Sequence, residues 1–102
     1  MDIVKIFVRD NCPKCPVAKK IHLDLVNGPV GEIADIQAFN VGEASGLAEA
    51  SMYMVATAPA ILVCDGDEDV IREWRSDMPA TSEIESLLHS RAHERIEHAP
   101  AP

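Results

Sequence analysis

Aromatic side chains are scarce in this sequence: two Phe, one Tyr and one Trp among 102 residues. A core built from this chain must therefore rest on Val, Ile, Leu, Ala and Met. Positive charge is scarce as well. Nine Lys and Arg stand against 17 Asp and Glu, for a net charge of −8, so the average surface repels a phosphate backbone and no nucleic-acid partner is expected. No apolar run approaches the roughly 20 residues that a membrane-spanning helix needs, and no membrane partner is expected either. The opening residues 1–8 are too few and too charged for the apolar region of a signal peptide. Cysteine is limited to three residues, which is not the pattern of a secreted disulfide framework. In a reducing cytosol a close cysteine pair serves catalysis or metal binding instead, and a cytoplasmic protein is expected.

What is present suffices for one domain. Apolar residues form 47% of the chain, ordinary for a globular protein, and the length leaves no room for a second core. A single domain over residues 1–95 is expected, followed by a flexible tail over 96–102. Charge is uneven along the chain. Residues 1–20 hold Lys5, Arg9, Lys14, Lys19 and Lys20 against Asp2 and Asp10, a local charge of +3, and the remaining 82 residues carry −11. Such a basic region is either a face prepared for an acidic partner or an anionic thiolate, or simply a solvated helix face.

Ile3-Val4-Lys5-Ile6-Phe7-Val8 reads as a buried strand interrupted only by Lys5. Arg9-Asp10-Asn11 breaks it, and a helix is expected over residues 13–26, because proline suits a first helical position, where its missing N–H has no partner to lose. Val17, Ala18, Ile21 and Leu25 fall on one face of that helix, and Asn27-Gly28-Pro29 stops it. A second strand is expected over 33–39, then a helix over 43–54 with Leu47, Ala48 and Met52 as core residues. Ala60-Ile61-Leu62-Val63-Cys64 reads as a buried strand, and after the Asp65-Gly66-Asp67 turn Val70-Ile71-Arg72-Glu73-Trp74 is its hairpin partner. A last helix starts between Ala80 and Glu83 and carries Ile84, Leu87 and Leu88. The order β-α-β-α-β-β-α predicts an α/β fold. Its first two strands are parallel, because a helical crossover joins them, and the later hairpin is antiparallel. The expected assembly is a four-stranded mixed sheet flanked by three helices.

Cys12-Pro13-Lys14-Cys15 falls where the first strand ends and the first helix begins. A CxxC pair can be a redox couple, half of a zinc site or a soft-metal site, and spacing alone does not choose. Placement does more. Unpaired N–H groups and the positive end of the helix dipole favour an anion there, and Lys14 adds a charge, so the thiolate of Cys12 is favoured. Cys12 is then the exposed nucleophile, and Cys15, one turn in, resolves the mixed disulfide. A structural zinc site normally takes four protein ligands, and no second CxxC exists. The other candidate ligands are His22, His89, His93 and His98, of which His89 and His93 also suit the negative end of a solvated helix. Copper-chaperone domains place a CxxC similarly, but run β-α-β-β-α-β and carry Met where this chain has Asp10. Cys64, at the end of a buried strand, reads as a small core hydrophobe.

Strand, CxxC and helix, followed about forty residues later by Thr57-Ala58-Pro59 and a hairpin, resemble the thioredoxin superfamily over roughly residues 2–90. Cys-Pro-Lys-Cys is similar to the active site of glutaredoxins, and Thr57-Ala58-Pro59 to their Thr-Val-Pro. The resemblance implies a thioredoxin-like fold and a thiol–disulfide oxidoreductase without resident cofactor or metal. Cys12 and Cys15 would be its catalytic residues, and Pro13, Lys14, Thr57, Ala58 and Pro59 would shape the motif and the substrate groove. It also implies a cis bond before Pro59, and a backbone at Ala58 that pairs with an incoming chain. Three departures stand out. Asn11 precedes the first cysteine where thioredoxins have an aromatic residue, with Pro13-Lys14 in place of Gly-Pro. Ile6 occupies the position of the buried thioredoxin carboxylate. Trp74-Arg75-Ser76-Asp77-Met78-Pro79 lacks the glycine pair with which glutaredoxins hold glutathione. A chain of glutaredoxin size with these features resembles the small redoxins that serve ribonucleotide reductases of anaerobic prokaryotes. That likeness implies a monomer acting on protein disulfides, with a flavin-containing thioredoxin reductase as electron source and ribonucleotide reductase as a client. The alternatives are a glutathione-dependent glutaredoxin and a CxxC metal-binding module.

Overall fold

The computed structural model describes residues 1–75 and 77–97. Along the chain run β1 (Asp2–Val8), α1 (Cys15–Asn27), a single 3-10 turn (Pro29–Glu32), β2 (Ala34–Asn40), α2 (Ala44–Met52), β3 (Ala60–Cys64), β4 (Val70–Trp74) and α3 (Thr81–Glu97). The sheet order is β2-β1-β3-β4. β1 pairs parallel with β2 and antiparallel with β3, and β3 pairs antiparallel with β4. This is the mixed sheet with three helices that the order of elements predicts. The expected tail begins within α3, and residues 98–102, including His98, lie outside the described residues, as does Ser76. No described helix is long and apolar enough to cross a membrane.

Alternation along β1 divides the core in two. Val4 and Ile6 point to one face, where α1 contributes Ala18, Ile21 and Leu25, α3 contributes Ile84 and Leu88, and Val30, Ala34, Ile61 and Val63 complete an aliphatic cluster. Phe7 points to the other face and meets Ala50, Val55, Ala60, Leu62 and Cys64, with Ile3, Phe39, Val41 and Tyr53 at the margin. Cys64 is fully buried there.

Two helical faces differ from expectation. On α1 the buried stripe is Cys15, Ala18, Ile21 and Leu25, and Val17 is 53% exposed. Val17 lies one residue before Ala18 and so about 100° round the helix from the stripe. On α2, Leu47, Ala48 and Met52 all face outward, and the buried residues are Gly46 and Ala50. The reason is steric. α2 lies so close to the end of β2 that a Cβ at position 46 would collide with the backbone of Asn40, so only small side chains fit beneath the helix.

Lys5 does not interrupt the strand; it is buried with it. Its ammonium reaches Glu49 Oε1 at 2.5 Å and Gln37 Oε1 at 3.2 Å, and stands 3.7 Å from Glu68. The rings of Tyr53 and Phe39 lie 5.2 and 5.5 Å away, within cation–π range. Burial pulls its pKa down, but the hydrogen bond and charge of Glu49, helped by Tyr53 and Glu68, more than offset this, and the net shift is upward. Asp2, also buried, is held by Arg91 of α3 through bonds of 2.9 and 3.3 Å. Lys5 and Asp2 thus leave the solvent-facing charge of residues 1–20 to Arg9, Asp10, Lys14, Lys19 and Lys20.

Candidate active site

The turn after β1 begins with Asn11 in the left-handed region, at φ 59°. Asn tolerates that conformation better than an aromatic residue does, which gives a local reason for the residue before Cys12. The helix expected from position 13 starts instead at Cys15. Pro13 and Lys14 form a turn closed by the Cys15 N–H donating to Cys12 O at 3.3 Å. Pro16 then sits in the first turn of α1, where a missing N–H is harmless. No side chain caps this helix end, and no acidic residue occupies its first turn. The positive end of the α1 dipole is therefore not neutralised by a carboxylate of that turn.

Cys12 and Cys15 are joined by a disulfide. Cys12 keeps 9% of its surface exposed and Cys15 only 1%, so an incoming group can approach Cys12 alone. Cys15 continues the buried stripe of α1. Ile6, six residues before Cys12, is fully buried in the same aliphatic cluster.

The second wall comes from the segment between α2 and β3. Tyr53 closes α2, Met54 takes a left-handed conformation at φ 56°, and the Val55 N–H donates back to Ala50 O at 2.8 Å. The chain then reaches Ala58, whose peptide bond to Pro59 is cis and whose carbonyl oxygen lies 3.8 Å from Cys12 Sγ. Pro59 is buried, Ala58 half-buried and Thr57 exposed. The fold thus brings Ala58 and Pro59 to the cysteine pair from some 45 residues away, while Thr57 stays at the rim.

Beside the pair opens a depression of about 380 Å³ lined by Pro13, Lys14, Val17, Asp77 and Met78. Val17, read from sequence as core, belongs to this site instead. Asp77 and Met78 escaped sequence reasoning, which registered in that segment only the missing glycine pair. Arg75 escaped it too. Its guanidinium donates to Tyr53 O and Met54 O, both at 3.1 Å, and to Glu73 at 2.9 Å.

The other candidates stay apart from this site. Cys64 lies under α2, where burial pushes its thiol pKa up against the opposing charge of Lys5. His89 and His93 are exposed on α3. Among the described residues, no three His, Cys, Asp or Glu side chains come together as a metal site.

No protein-family model and no curated protein matches the sequence. Solved structures do. Thioredoxin 1 from Thermosipho africanus superposes with a TM-score of 0.69 at 16% identity, over 91% of this chain and 98% of its own. A mutant thioredoxin from Halobacterium salinarum gives 0.69 at 20% identity, over 87% and 73%. The Malassezia sympodialis thioredoxin gives 0.68 at 16%, over 87% and 73%. At these identities the likeness is one of fold.

Proposed function

We propose that this chain, which has the thioredoxin fold, is a thiol–disulfide oxidoreductase that reduces protein disulfides through Cys12 and Cys15. The observation that carries the reading is the asymmetry of the pair: an approachable Cys12 before an uncapped helix end, a shielded Cys15 behind it, and the Ala58 carbonyl beside Cys12. In the reduced protein the Cys12 thiolate attacks one sulfur of a substrate disulfide and expels the other as a thiolate, which takes up a proton. Cys15, losing its own proton, then attacks Cys12 Sγ, forms the intramolecular disulfide and releases the second substrate thiol. Two electrons pass to the substrate, and an external dithiol must return them.

The reading extends further. Pro13, Lys14, Ala58 and Pro59 border the groove, with Thr57 at its rim, and the free backbone of Ala58 pairs with an extended substrate segment. A flavin-containing thioredoxin reductase is the electron source and ribonucleotide reductase a client, both from the resemblance of the motif alone. The protein works as a cytoplasmic monomer. Glutathione is a poor reductant, because Arg75, Asp77 and Met78 stand where glutaredoxins carry a glycine pair.

The test is turbidimetric reduction of insulin with dithiothreitol, followed by trapping. Wild type should accelerate precipitation, Cys12→Ser should not, and Cys15→Ser should accumulate a mixed disulfide on Cys12. Full activity in Cys12→Ser would overturn the assignment.

A further inference from the structure

We infer that Arg75 is a positioning residue for the substrate groove, acting through the backbone of Tyr53 and Met54; the inference rests on the oxidoreductase reading above. Two rims border the disulfide. One is the segment from Tyr53 to Pro59, which carries the Ala58 carbonyl. The other follows β4 and supplies Asp77 and Met78 to the depression beside Pro13 and Lys14. Arg75 belongs to the second rim by sequence and is bonded to the first by its side chain, across more than 20 residues of chain.

The contact falls on a turn whose N–H groups are already bonded, Met54 to Ser51 O at 3.2 Å and Val55 to Ala50 O at 2.8 Å, and it adds donors for the two carbonyls that follow. Helix α2 ends at Tyr53, where terminal carbonyls lack intrahelical partners. The next residue, Met54, is a non-glycine in the left-handed region, which side chains disfavour. Arg75 satisfies the carbonyls of both residues with separate nitrogens, Nη2 on Tyr53 and Nη1 on Met54. Its positive charge also suits the negative end of the α2 dipole. Glu73 Oε2 accepts from the same Nη2 at 2.9 Å and holds the guanidinium in place. A planar fork with several donors can bridge two adjacent carbonyls, whereas the point charge of a lysine offers no such geometry. Four residues beyond Met54 the chain reaches Ala58. The same guanidinium therefore braces the reversal that leads to Ala58 and ties it to the strand end from which Asp77 and Met78 extend.

An extended protein substrate must meet both rims, and a small disulfide needs only Cys12. Arg75→Met, which keeps the bulk and removes the donors, should raise KM for insulin five- to tenfold. Its kcat, and its rate with hydroxyethyl disulfide, should stay within twofold of wild type. Arg75→Lys should fall between the two. Met54→Gly in the Arg75→Met background should recover most of the insulin KM, because glycine adopts the left-handed turn without help. Amide hydrogen exchange over residues 53–58 provides a readout independent of activity: it should accelerate at least tenfold in Arg75→Met while the amides of β1 keep their protection. Unchanged exchange there, or an equal loss of rate with insulin and hydroxyethyl disulfide, would overturn the inference. A wild-type protein inactive on insulin whose 53–58 exchange still depends on Arg75 would instead count against the oxidoreductase reading alone.

Discussion

The two faces of the sheet are held by different means. Under α1 and α3 the buried cluster is wholly aliphatic, from Val4 and Ile6 to Ile84 and Leu88. Under α2 lie Phe7, Phe39 and Tyr53, three of the four aromatic residues of the chain, gathered with a buried Lys5 and the carboxylate of Glu49. The first face supports two long helices mainly by apolar area, with one ion pair, Asp2 to Arg91, tying the start of β1 to α3. The second supports a nine-residue helix whose contact residues are Gly46 and Ala50, too small to anchor it by burial. A paired charge fixes that helix in place, and the comparison separates two tasks: the α1 face carries the cysteines, and the α2 face carries the reversal that presents Ala58.

The sharpest way to break this division is to orphan the charge. Glu49→Ala should cost about 3 kcal/mol in urea unfolding, at the lower end of what removing one partner of a buried pair costs, because Glu68 remains 3.7 Å from the ammonium. Lys5→Met should cost less than about 1 kcal/mol. Methionine adapts to a space between aromatic rings, and the abandoned Glu49 side chain is already 23% exposed and can turn to water. Equal losses in the two variants would mean that the pair holds α2 no better than bulk does.

Gly46→Ala comes next. In an exposed helix this change stabilises by about 1 kcal/mol. Beneath α2 the added methyl meets the backbone of Asn40, and overpacking of this kind typically costs about 1–3 kcal/mol. The sign of the measured change decides whether α2 sits as close to the sheet as described; a more stable variant would place it further out.

The same contrast explains what was legible in the sequence. The aliphatic face follows simple periods. Val4 and Ile6 alternate, Ala18, Ile21 and Leu25 follow a helical stripe, and Ile84 and Leu88 are one turn apart, so element order, sheet pairing and the place of Cys12 and Cys15 could be read. The α2 face breaks those periods. Its strand buries a lysine, and its helix turns Leu47 and Met52 to water while burying glycine and alanine, so hydrophobicity pointed to the wrong side. Val17 was misplaced for a smaller reason, a single residue of helical phase beside Ala18. Arg75 could not be found from sequence at all, because its partners are backbone carbonyls, and backbone carbonyls leave no mark in a sequence.

The smallest expected effect lies in alkaline solution and tests the α2 face as a unit. Three groups on that face have pKa values raised by folding. Cys64 is raised mainly by burial, with Lys5 opposing and Asp65, Glu68 and Glu49 adding. Tyr53 is raised by burial, again against Lys5. For Lys5 burial works the other way, and Glu49 outweighs it. Each group holds its proton more tightly in the folded state than in the unfolded one, so the folded state binds more protons and stability falls as pH rises. The contribution is fully present below the ordinary values of 9.0 for the thiol, 10.0 for the phenol and 10.5 for the ammonium, and it is lost as pH climbs through the raised ones. On the other face Asp24 behaves oppositely: its pKa is lowered by its hydrogen bond from Lys20, and this half-buried carboxylate acts only in acid, weakly. Urea midpoints measured from pH 7 to 11 should therefore be level to about 9 and then decline. In Lys5→Met the ammonium's own share of the decline above about 10.5 should be missing, while the shares of Cys64 and Tyr53, which Lys5 opposes, remain. A decline of the same slope in wild type and Lys5→Met would mean that the ammonium is not held by folding, and the α2 face would lose the charge that distinguishes it.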